Sequence, residues 1–325
     1  MEFRSISIVV PVFSEQDALV QLVDEIRKVA QTHSLQIETL FVDDGSTDQS
    51  WSIITRLADK DPSVGGIRFS RNVGKAAALM AGFTAARGDI VITMDADLQD
   101  PPEEIPRLLE QLDKGYDVVS GWKYRRLDPW HKVYPSRIFN ALISMVTRVK
   151  LHDHVCGLKC YRRKVLSDLC IYGELHRFLG VLAGTNGHRV TEIPTLHRPR
   201  TTGTSKYGFS RFAKGFVDLV TVLVLTRYRW RPQHLIGVVG AWLLILSPIL
   251  AIGTLVSDWI AALMPAILVA VGGAVLMAVG MVAELIVAER PLGDLYEIVE
   301  RVGWCGQRPA DLPADSVTIS NADNV

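Results

Sequence analysis

The chain has 325 residues and balanced charge, with 35 Lys and Arg against 35 Asp and Glu. A net charge of zero provides no polyanion-binding footprint, so nucleic acid is not an expected partner. The four cysteines show no Cys-x-x-Cys or zinc spacing, which excludes a disulfide framework and favours reduced thiols.

Strand-like and helical segments alternate between residues 6 and 120. Apolar runs at 6–13, 39–42, 67–70, 90–94 and 116–120 predict strands, and helical apolar spacing predicts helices between them. This alternation predicts an α/β fold with a mostly parallel, doubly wound sheet. The absence of a Gly-x-Gly-x-x-Gly after the first strand, and of a Walker lysine loop, argues against dehydrogenases and P-loop enzymes.

Acidic residues follow three of these strands. Glu15 comes after the first, Asp43 and Asp44 end the second, and Asp95 and Asp97 end the fourth. Open α/β sheets bind ligands at the carboxyl ends of their strands, where these carboxylates suit a nucleotide-sugar better than a bare phosphate. In an extended strand residues i and i+2 share a face, so Asp95 and Asp97 can hold one Mg²⁺ or Mn²⁺ ion. An ordinary acidic turn is the alternative interpretation.

The middle of the chain combines apolar and basic residues. Helical spacing over 129–149 predicts a helix that either packs in the core or lies on a membrane. Next come His152, Asp153 and His154. The two histidines have no third metal ligand nearby, so the favoured interpretation is a strand end that places Asp153 at the site.

A basic segment with a glycine spans residues 197–207. It is either a solvated charged loop or a flexible lid whose Arg198, Arg200 and Lys206 close on phosphates.

Membrane segments are predicted in the last third. Residues 208–232 have the pattern of an interfacial amphipathic helix. The runs 235–257 and 259–283 carry no charge, and each exceeds the roughly 30 Å hydrocarbon core at about 1.5 Å per residue. Arginines flank the pair while the turn between them has no Lys or Arg, so the positive-inside rule places both ends in the cytoplasm.

The predicted organisation is therefore a catalytic domain over 1–207, an interfacial helix over 208–232 and two transmembrane helices over 233–288. A C-terminal helix to about residue 302 and a disordered tail fill 289–325. Gly272, Gly273 and Gly280 permit helix packing and a homo-oligomer.

Five motifs in order carry a family resemblance: residues 10–15, 42–48, 71–75, 95–102 and 203–207. With the two-span hairpin, they make the chain resemble family 2 glycosyltransferases of the GT-A fold. The resemblance is to the polyprenyl-phosphate glycosyltransferases, the group of dolichol-phosphate mannose synthase and the bactoprenol glucosyltransferases. It implies inverting, metal-dependent transfer of a sugar from a UDP- or GDP-linked donor to polyprenyl phosphate. The implied place is the cytoplasmic face of the inner membrane.

The same resemblance implies roles for individual residues. Asp97 and Asp153 would be catalytic, with Asp153 orienting the acceptor, and Asp95, Asp97 and Gln99 would reach a diphosphate-bound Mg²⁺ or Mn²⁺. Arg198, Arg200 and Lys206 would hold the diphosphate or the lipid phosphate. The nucleotide-sugar would be bound by Pro11, Val12, Glu15, Asp43, Asp44, Lys75, Asp95, Ala96 and Lys123.

Two other functions stay open. A processive polysaccharide synthase shares the catalytic fold, but it usually needs more spans and a Gln-x-x-Arg-Trp motif. Here Arg229-Trp230 is preceded by Thr226 in place of the glutamine. A non-catalytic, membrane-tethered nucleotide-sugar sensor is the second alternative, against which the intact acidic set argues.

Overall fold

The computed structural model describes residues 5–124, 130–169, 171–198, 220–221 and 298–304, together with positions 271, 275, 278, 282 and 285. The chain divides into two compact units, residues 1–207 with 291–325, and residues 208–290. All the elements labelled below belong to the first unit.

The first unit alternates strands and helices as the periodicity predicts. Its strands are β1 (Ser5–Val12), β2 (Gln36–Asp43), β3 (Val64–Phe69), β4 (Ile90–Thr93), β5 (Val118–Lys123), β6 (Lys159–Arg162), β7 (Val190–Thr195) and β8 (Ile298–Gly303). Its helices are α1 (Leu19–His33), α2 (Ser50–Lys60), α3 (Lys75–Ala85), α4 (Ile105–Asp113), α5 (Trp130–Thr147), α6 (Arg163–Leu166) and α7 (Leu179–Thr185). Short 3₁₀ turns cover Pro102–Glu104 and Leu175–Phe178.

The described strands form one sheet in the order β7-β5-β6-β4-β1-β2-β3-β8. Pairing is parallel for β1 with β2, β1 with β4, β2 with β3, and β5 with β7. Strand β6 is antiparallel to both of its neighbours, and β8 is antiparallel to β3. The predicted α/β fold with a mostly parallel sheet is confirmed.

The core lies on both faces of the central strands. Ile6, Ile8 and Val10 of β1 are almost fully buried, as is the whole of β4. Strands covered by helices on both faces need continuous apolar runs, which is why β1 and β4 show little alternation in sequence. Their carboxyl ends open on one edge, where the candidate site lies.

The C-terminal segment corrects one prediction. Residues 298–303 form the edge strand β8 and do not belong to the helix predicted to reach residue 302. Ile298 and Val302 are four apart, a spacing that fits a helix turn and also one face of a strand. The open edge of β3 decides between them, because it offers unpaired backbone groups. Trp51 donates a hydrogen bond to Glu300 and adds a side-chain tie to this edge.

Within the described ranges, no helix has the length and apolarity needed to cross a bilayer. The predicted spans 235–257 and 259–283 lie outside those ranges apart from isolated helical positions, as does most of the predicted interfacial helix 208–232. These membrane segments therefore stay predictions.

Candidate active site

A lysine–aspartate pair stands at the centre of the site. Lys75 opens α3 and Asp95 follows β4, and Lys75 Nζ lies 2.5 Å from Asp95 Oδ1. Burial favours the neutral amine, but the carboxylates of Asp95, Asp100 and Asp97 together raise the pKa of Lys75. Burial likewise opposes ionisation of Asp95, yet Lys75 outweighs it and lowers the Asp95 pKa to about 2. Both groups are therefore charged at neutral pH.

A tight turn follows Asp95. Asp97 Oδ1 accepts the backbone N–H of Gln99 at 3.2 Å, and Leu98 adopts a left-handed conformation with φ of 60°. Gly157 packs against the start of this turn, because a Cβ at that position would lie 2.7 Å from the Asp95 carboxylate. The close packing against the Asp95 carboxylate therefore requires a residue without a side chain at position 157.

The donor set fits a hard divalent cation. Asp95 and Asp97 supply carboxylate oxygens two positions apart, and Asp95 stays ionised at neutral pH. Mg²⁺ and Mn²⁺ take such oxygen ligands and share their remaining positions with water and substrate phosphates. No group of three or more His, Cys, Asp or Glu side chains poised for a metal occurs in the part of the chain that the structure describes. A third protein ligand, for which Gln99 was predicted, stays a prediction.

A second ion pair extends the cluster toward β5. Lys123 Nζ lies 3.3 Å from Oδ1 of Asp100, whose side chain is buried. Burial works against the charge on Lys123, but Asp100, Asp95 and Asp153 contribute to raising its pKa. Burial raises the pKa of Asp100, and Lys123 opposes that shift. Lys123 therefore carries a positive charge near three carboxylates.

The two aspartates that end β2 have different partners. Asp44 accepts the backbone N–H groups of Val73 and Gly74 at 2.7 and 2.9 Å. Asp43 accepts the Ser46 N–H at 3.1 Å, and burial raises the pKa of both carboxyls. Asp44 thus holds the turn before α3, which carries Lys75, and its oxygens are already engaged by the protein.

The predicted nucleotide-pocket residues of β1 lie beside this turn. The Val12 carbonyl accepts the Asp44 N–H at 2.8 Å, while the Val12 side chain is buried in the core. Ala96 is also buried. Pro11 is half-buried, and the Glu15 N–H donates to Ser50 Oγ at 3.2 Å.

Asp153 lies on the loop before β6, and its backbone is fixed by β7. Glu192 of β7 accepts the His152 N–H at 2.7 Å and the Asp153 N–H at 3.4 Å, and it also contacts His152 Nδ1. The His152 ring stacks on Trp122 with centroids 4.2 Å apart. The side chain of Asp153 accepts the Val155 N–H at 3.1 Å. The structure therefore clamps this loop in one position.

A cavity of about 820 Å³ adjoins the loop. Its lining comes from β5, α5 and the loop before β6, and includes Lys123, Arg137, Ser144, Lys150 and Asp153. Because Lys123 also pairs with Asp100, this lysine connects the cavity to the acidic cluster.

Four residues of the site were not among those predicted from the sequence. Neutral His176 lies near the Lys75–Asp95 pair, and burial with Lys75 lowers its pKa to about 3. Glu192 and Trp122 hold the Asp153 loop. Asp100 could have been suspected from its place soon after Asp97, but His176, Trp122 and Glu192 reach the site only through tertiary contacts, for which no local pattern exists.

Arg198, one of the predicted phosphate ligands, has protein partners in the structure. Its guanidinium lies 2.7 Å from Glu25 and 3.1 Å from Glu103, and its backbone N–H donates to the Gln99 carbonyl at 2.9 Å. Arg198 thus ties the 196–198 segment to the acidic turn, and its predicted contact with a phosphate stays a prediction. The other two predicted phosphate ligands, Arg200 and Lys206, lie outside the described residues.

The mostly parallel α/β sheet, with paired acids and lysines at the carboxyl ends of its strands, has the GT-A-like fold of sugar-transferring enzymes. The chain belongs to glycosyl transferase family 2, whose family model matches residues 7–170. It is a glycosyltransferase, and the expected resemblance to the polyprenyl-phosphate group is confirmed by the relatives that follow.

Two similar proteins are undecaprenyl-phosphate 4-deoxy-4-formamido-L-arabinose transferases. The one from Klebsiella pneumoniae (strain 342) is 39% identical over 245 residues, 75% of this chain and 73% of the relative. The one from Edwardsiella ictaluri (strain 93-146) is 41% identical over 225 residues, 69% of each chain.

Among solved structures, glucosyl-3-phosphoglycerate synthase from Mycobacterium tuberculosis, in complex with Mn²⁺, UDP and phosphoglyceric acid, has a TM-score of 0.53. The match covers 69% of this chain and 78% of that one at 19% identity, which establishes the shared fold.

Proposed function

We propose that this chain transfers a sugar from a UDP- or GDP-linked donor to polyprenyl phosphate at a membrane surface, with inversion at the anomeric carbon. The observation that carries the proposal is the position of Lys123, which pairs with Asp100 of the acidic cluster and lines the cavity that contains Asp153. Lys123 would thus lie at the boundary between the donor site and the acceptor site. The names of the undecaprenyl-phosphate relatives support the acceptor class.

In the proposed reaction an acceptor phosphate oxygen forms a bond to the anomeric carbon while the bond to the nucleoside diphosphate breaks. Negative charge leaves with the diphosphate. Lys75 and Lys123 are charged and lie at the acidic cluster, where they would stabilise the negative charge of the leaving diphosphate. A divalent cation held by Asp95 and Asp97 would act as a Lewis acid on the diphosphate. The Mn²⁺ and UDP of the structurally similar synthase support this assignment.

The acceptor needs orientation more than deprotonation. A phosphate monoester has a second pKa of about 6 and is already largely ionised at pH 7. Asp153 would therefore position the acceptor within the cavity, and the Glu192 clamp on its backbone would keep that position constant.

The donor and acceptor assignments are tested with purified full-length protein, divalent cation and polyprenyl phosphate. Radiolabelled UDP- and GDP-sugars are screened for label in the organic phase, beginning with a donor carrying the relatives' 4-deoxy-4-formamido-L-arabinose. Asp97→Ala is expected to abolish transfer and Asp153→Asn to lower it strongly, while the exposed α2 variant Asp59→Asn stays unchanged. Normal turnover of Asp97→Ala would contradict the metal assignment.

The same screen separates the alternatives. One sugar per lipid supports the proposed transferase, whereas a growing polymer would indicate a processive synthase. Donor binding without any product across the screen would indicate a sensor.

We also propose the domain arrangement expected from sequence: a catalytic domain over 1–207, an interfacial helix over 208–232, a hairpin over 233–288, and a C-terminal region over 289–325. The protein would be a multi-pass inner-membrane protein with both termini in the cytoplasm. Reporter fusions at each terminus test this arrangement, and a periplasmic signal from either end would contradict it.

A further inference from the structure

The imidazole of His152 is exposed and yet held in one orientation. Its side chain is 67% exposed and belongs to the lining of the cavity beside Asp153. One ring face stacks on Trp122 at an interplanar angle of 17°, and Nδ1 contacts Glu192. Exposed side chains usually keep their rotamer freedom, because ordering one of them costs entropy. An exposed ring that is fixed by two neighbours is preorganised for a ligand.

Both groups that fix the ring belong to the sheet. Strands β5 and β7 pair in parallel with Ser120 opposite Glu192. Trp122 is two positions beyond Ser120, so the indole and the Glu192 side chain lie on the same face of neighbouring strands. Tyr124 packs edge-on against Trp122 with ring centroids 5.1 Å apart. The orientation of the His152 ring is therefore set by strands and not by mobile loops.

The contact with Glu192 decides which ring nitrogen is left for a ligand. Both oxygens of this carboxylate accept the His152 backbone N–H, at 2.9 and 2.7 Å. A carboxylate that accepts on both oxygens also accepts from the ring, so Nδ1 carries a hydrogen. Within the ranges that the structure describes, the hydrogen bonds of the ring go to Glu192 alone. Nε2 is thus the nitrogen that a ligand in the cavity would meet.

The charges of the cavity suit an anionic ligand. Three of its lining residues are basic, namely Lys123, Arg137 and Lys150, against one carboxylate, that of Asp153. These side chains come from β5, from α5 and from the loop before β6, so positive charge surrounds the space beside the His152 ring. Hydrogen bonds between ionised partners are the strong ones, and a phosphate offers several oxygens as acceptors.

We propose that Nε2 of His152 forms a hydrogen bond with the phosphate of the acceptor, and that Glu192 and Trp122 serve to aim it. An imidazolium donates its Nε2–H to a dianionic phosphate, whereas a neutral Nε2 accepts the proton of a P–OH group. Both routes end with one proton between Nε2 and a phosphate oxygen. The assignment rests on the proposed function for the nature of the acceptor. It is separate from the backbone clamp, in which Glu192 holds the N–H groups of His152 and Asp153.

The test measures binding of a short-chain prenyl phosphate to the purified full-length chain by titration calorimetry, without any sugar donor. The parent protein is compared with His152→Ala, His152→Gln and His152→Asn, all of which keep the backbone N–H groups that Glu192 accepts. The His152→Gln amide can lie near the position of Nε2, whereas the His152→Asn amide lies near that of Nδ1. His33→Ala, at the exposed end of α1, is the matched control.

The expected result is that His152→Ala and His152→Asn raise the Kd about tenfold, the effect of losing one hydrogen bond to a charged group. His152→Gln should stay within about threefold of the parent protein, because it keeps a polar group near Nε2. An unchanged Kd for His152→Ala would overturn the proposal. Equal losses in His152→Gln and His152→Asn would also overturn it, since they would assign the effect to packing of the ring.

The same titration separates this proposal from the proposed function. A parent protein that does not bind prenyl phosphate would show that the acceptor class itself is wrong. A parent protein that binds it no better than His152→Ala does would show that only the assignment of His152 is wrong.

Transfer kinetics give a second readout. His152→Ala is expected to raise the KM for the acceptor about tenfold and to leave the KM for the donor unchanged. Trp122→Leu, which frees the ring, should raise the acceptor KM about threefold in the parent protein and have no further effect in the His152→Ala background. An equal rise in the donor KM would overturn the assignment to the acceptor. Additive losses in the double variant would overturn the aiming role of Trp122.

Discussion

Removal of the Glu192 carboxylate tests whether the Asp153 loop must be held for transfer. Glu192 accepts a short hydrogen bond from the His152 N–H and a longer one from the Asp153 N–H. Hydrogen bonds to a charged group are worth about 1.5–3 kcal/mol each, and the Asp153 bond is long. The clamp is therefore worth about 2–3 kcal/mol, which corresponds to about 30- to 150-fold in rate if it serves to position Asp153.

The assay measures transfer of labelled sugar to polyprenyl phosphate, with KM and kcat determined for both substrates. Glu192→Ala is expected to lower kcat/KM for the acceptor about 30- to 150-fold, while the KM for the donor stays within about twofold of the parent value. Glu192→Gln keeps an oxygen that accepts hydrogen bonds, so its kcat/KM for the acceptor should fall only about fivefold. Glu110→Gln on α4, which pairs with Lys114 at the exposed surface, is the matched control.

Two results would refute this reasoning. Acceptor kinetics of Glu192→Ala within twofold of the parent protein would show that the clamp does not matter. An equal loss for donor and acceptor, with a lowered unfolding temperature in both variants, would show a general structural role.

Other groups give predictions in the same assays. Lys75→Met leaves the Asp95 carboxylate, 33% exposed, without its ammonium partner. The free energy of unfolding should fall by about 2 kcal/mol, which lowers the unfolding temperature by about 4–8 °C. The single amide oxygen of Asp44→Asn can accept a hydrogen bond from only one of the Val73 and Gly74 N–H groups. The unfolding temperature should therefore fall by a similar amount. Burial lowers the pKa of His154 from 6.5 to about 4. The unfolded chain therefore binds a proton that the folded chain excludes, and about 3 kcal/mol of stability should be lost as pH falls from 6.5 to 4.

Each of these predictions has a control and a contradicting result. Lys114→Met, from an exposed pair, should shift the unfolding temperature by less than about 2 °C. An equal effect of Lys75→Met would contradict the argument that the half-buried Lys75–Asp95 pair contributes more than an exposed one. Asp59→Asn on the surface is the control for Asp44→Asn. His154→Asn should reduce the acid sensitivity of thermal unfolding while the exposed His33→Asn does not; identical pH dependence in both would refute the His154 assignment.

The α/β class and the acidic edge could be predicted because both depend on local pattern. Continuous apolar runs such as residues 90–94 predict buried strands, and the carboxyl ends of parallel strands must meet on one edge of a sheet. Asp43, Asp44 and Asp95 therefore could be placed together without coordinates. Their partners could not, because Lys75 and Asp95 are twenty positions apart and meet only through the packing of α3 against the sheet.

The prediction that failed, the helix to residue 302, did so where one spacing permits two structures. Ile298 and Val302 fit a helix and a strand equally, and the unpaired edge of β3 selected the strand. The protein partners of Arg198 could not be predicted either, because Glu25 and Glu103 come to it from α1 and from the turn before α4. No sequence pattern near Arg198 predicts that either carboxylate lies close to it.

The sequence by itself determined the kind of sheet, the edge at which ligands bind and the oxygen-rich chemistry of that edge, because these follow from side-chain period and from residue type. Only the tertiary structure decided which carboxylates are engaged by other groups of the protein and which stay available to a ligand. It assigned Asp44 to the turn before α3, Asp95 to Lys75, and Glu192 to the loop of Asp153. The physical reason is that burial and ion pairing act between groups that are distant in the chain, and their balance is set by packing distance, which no local pattern encodes.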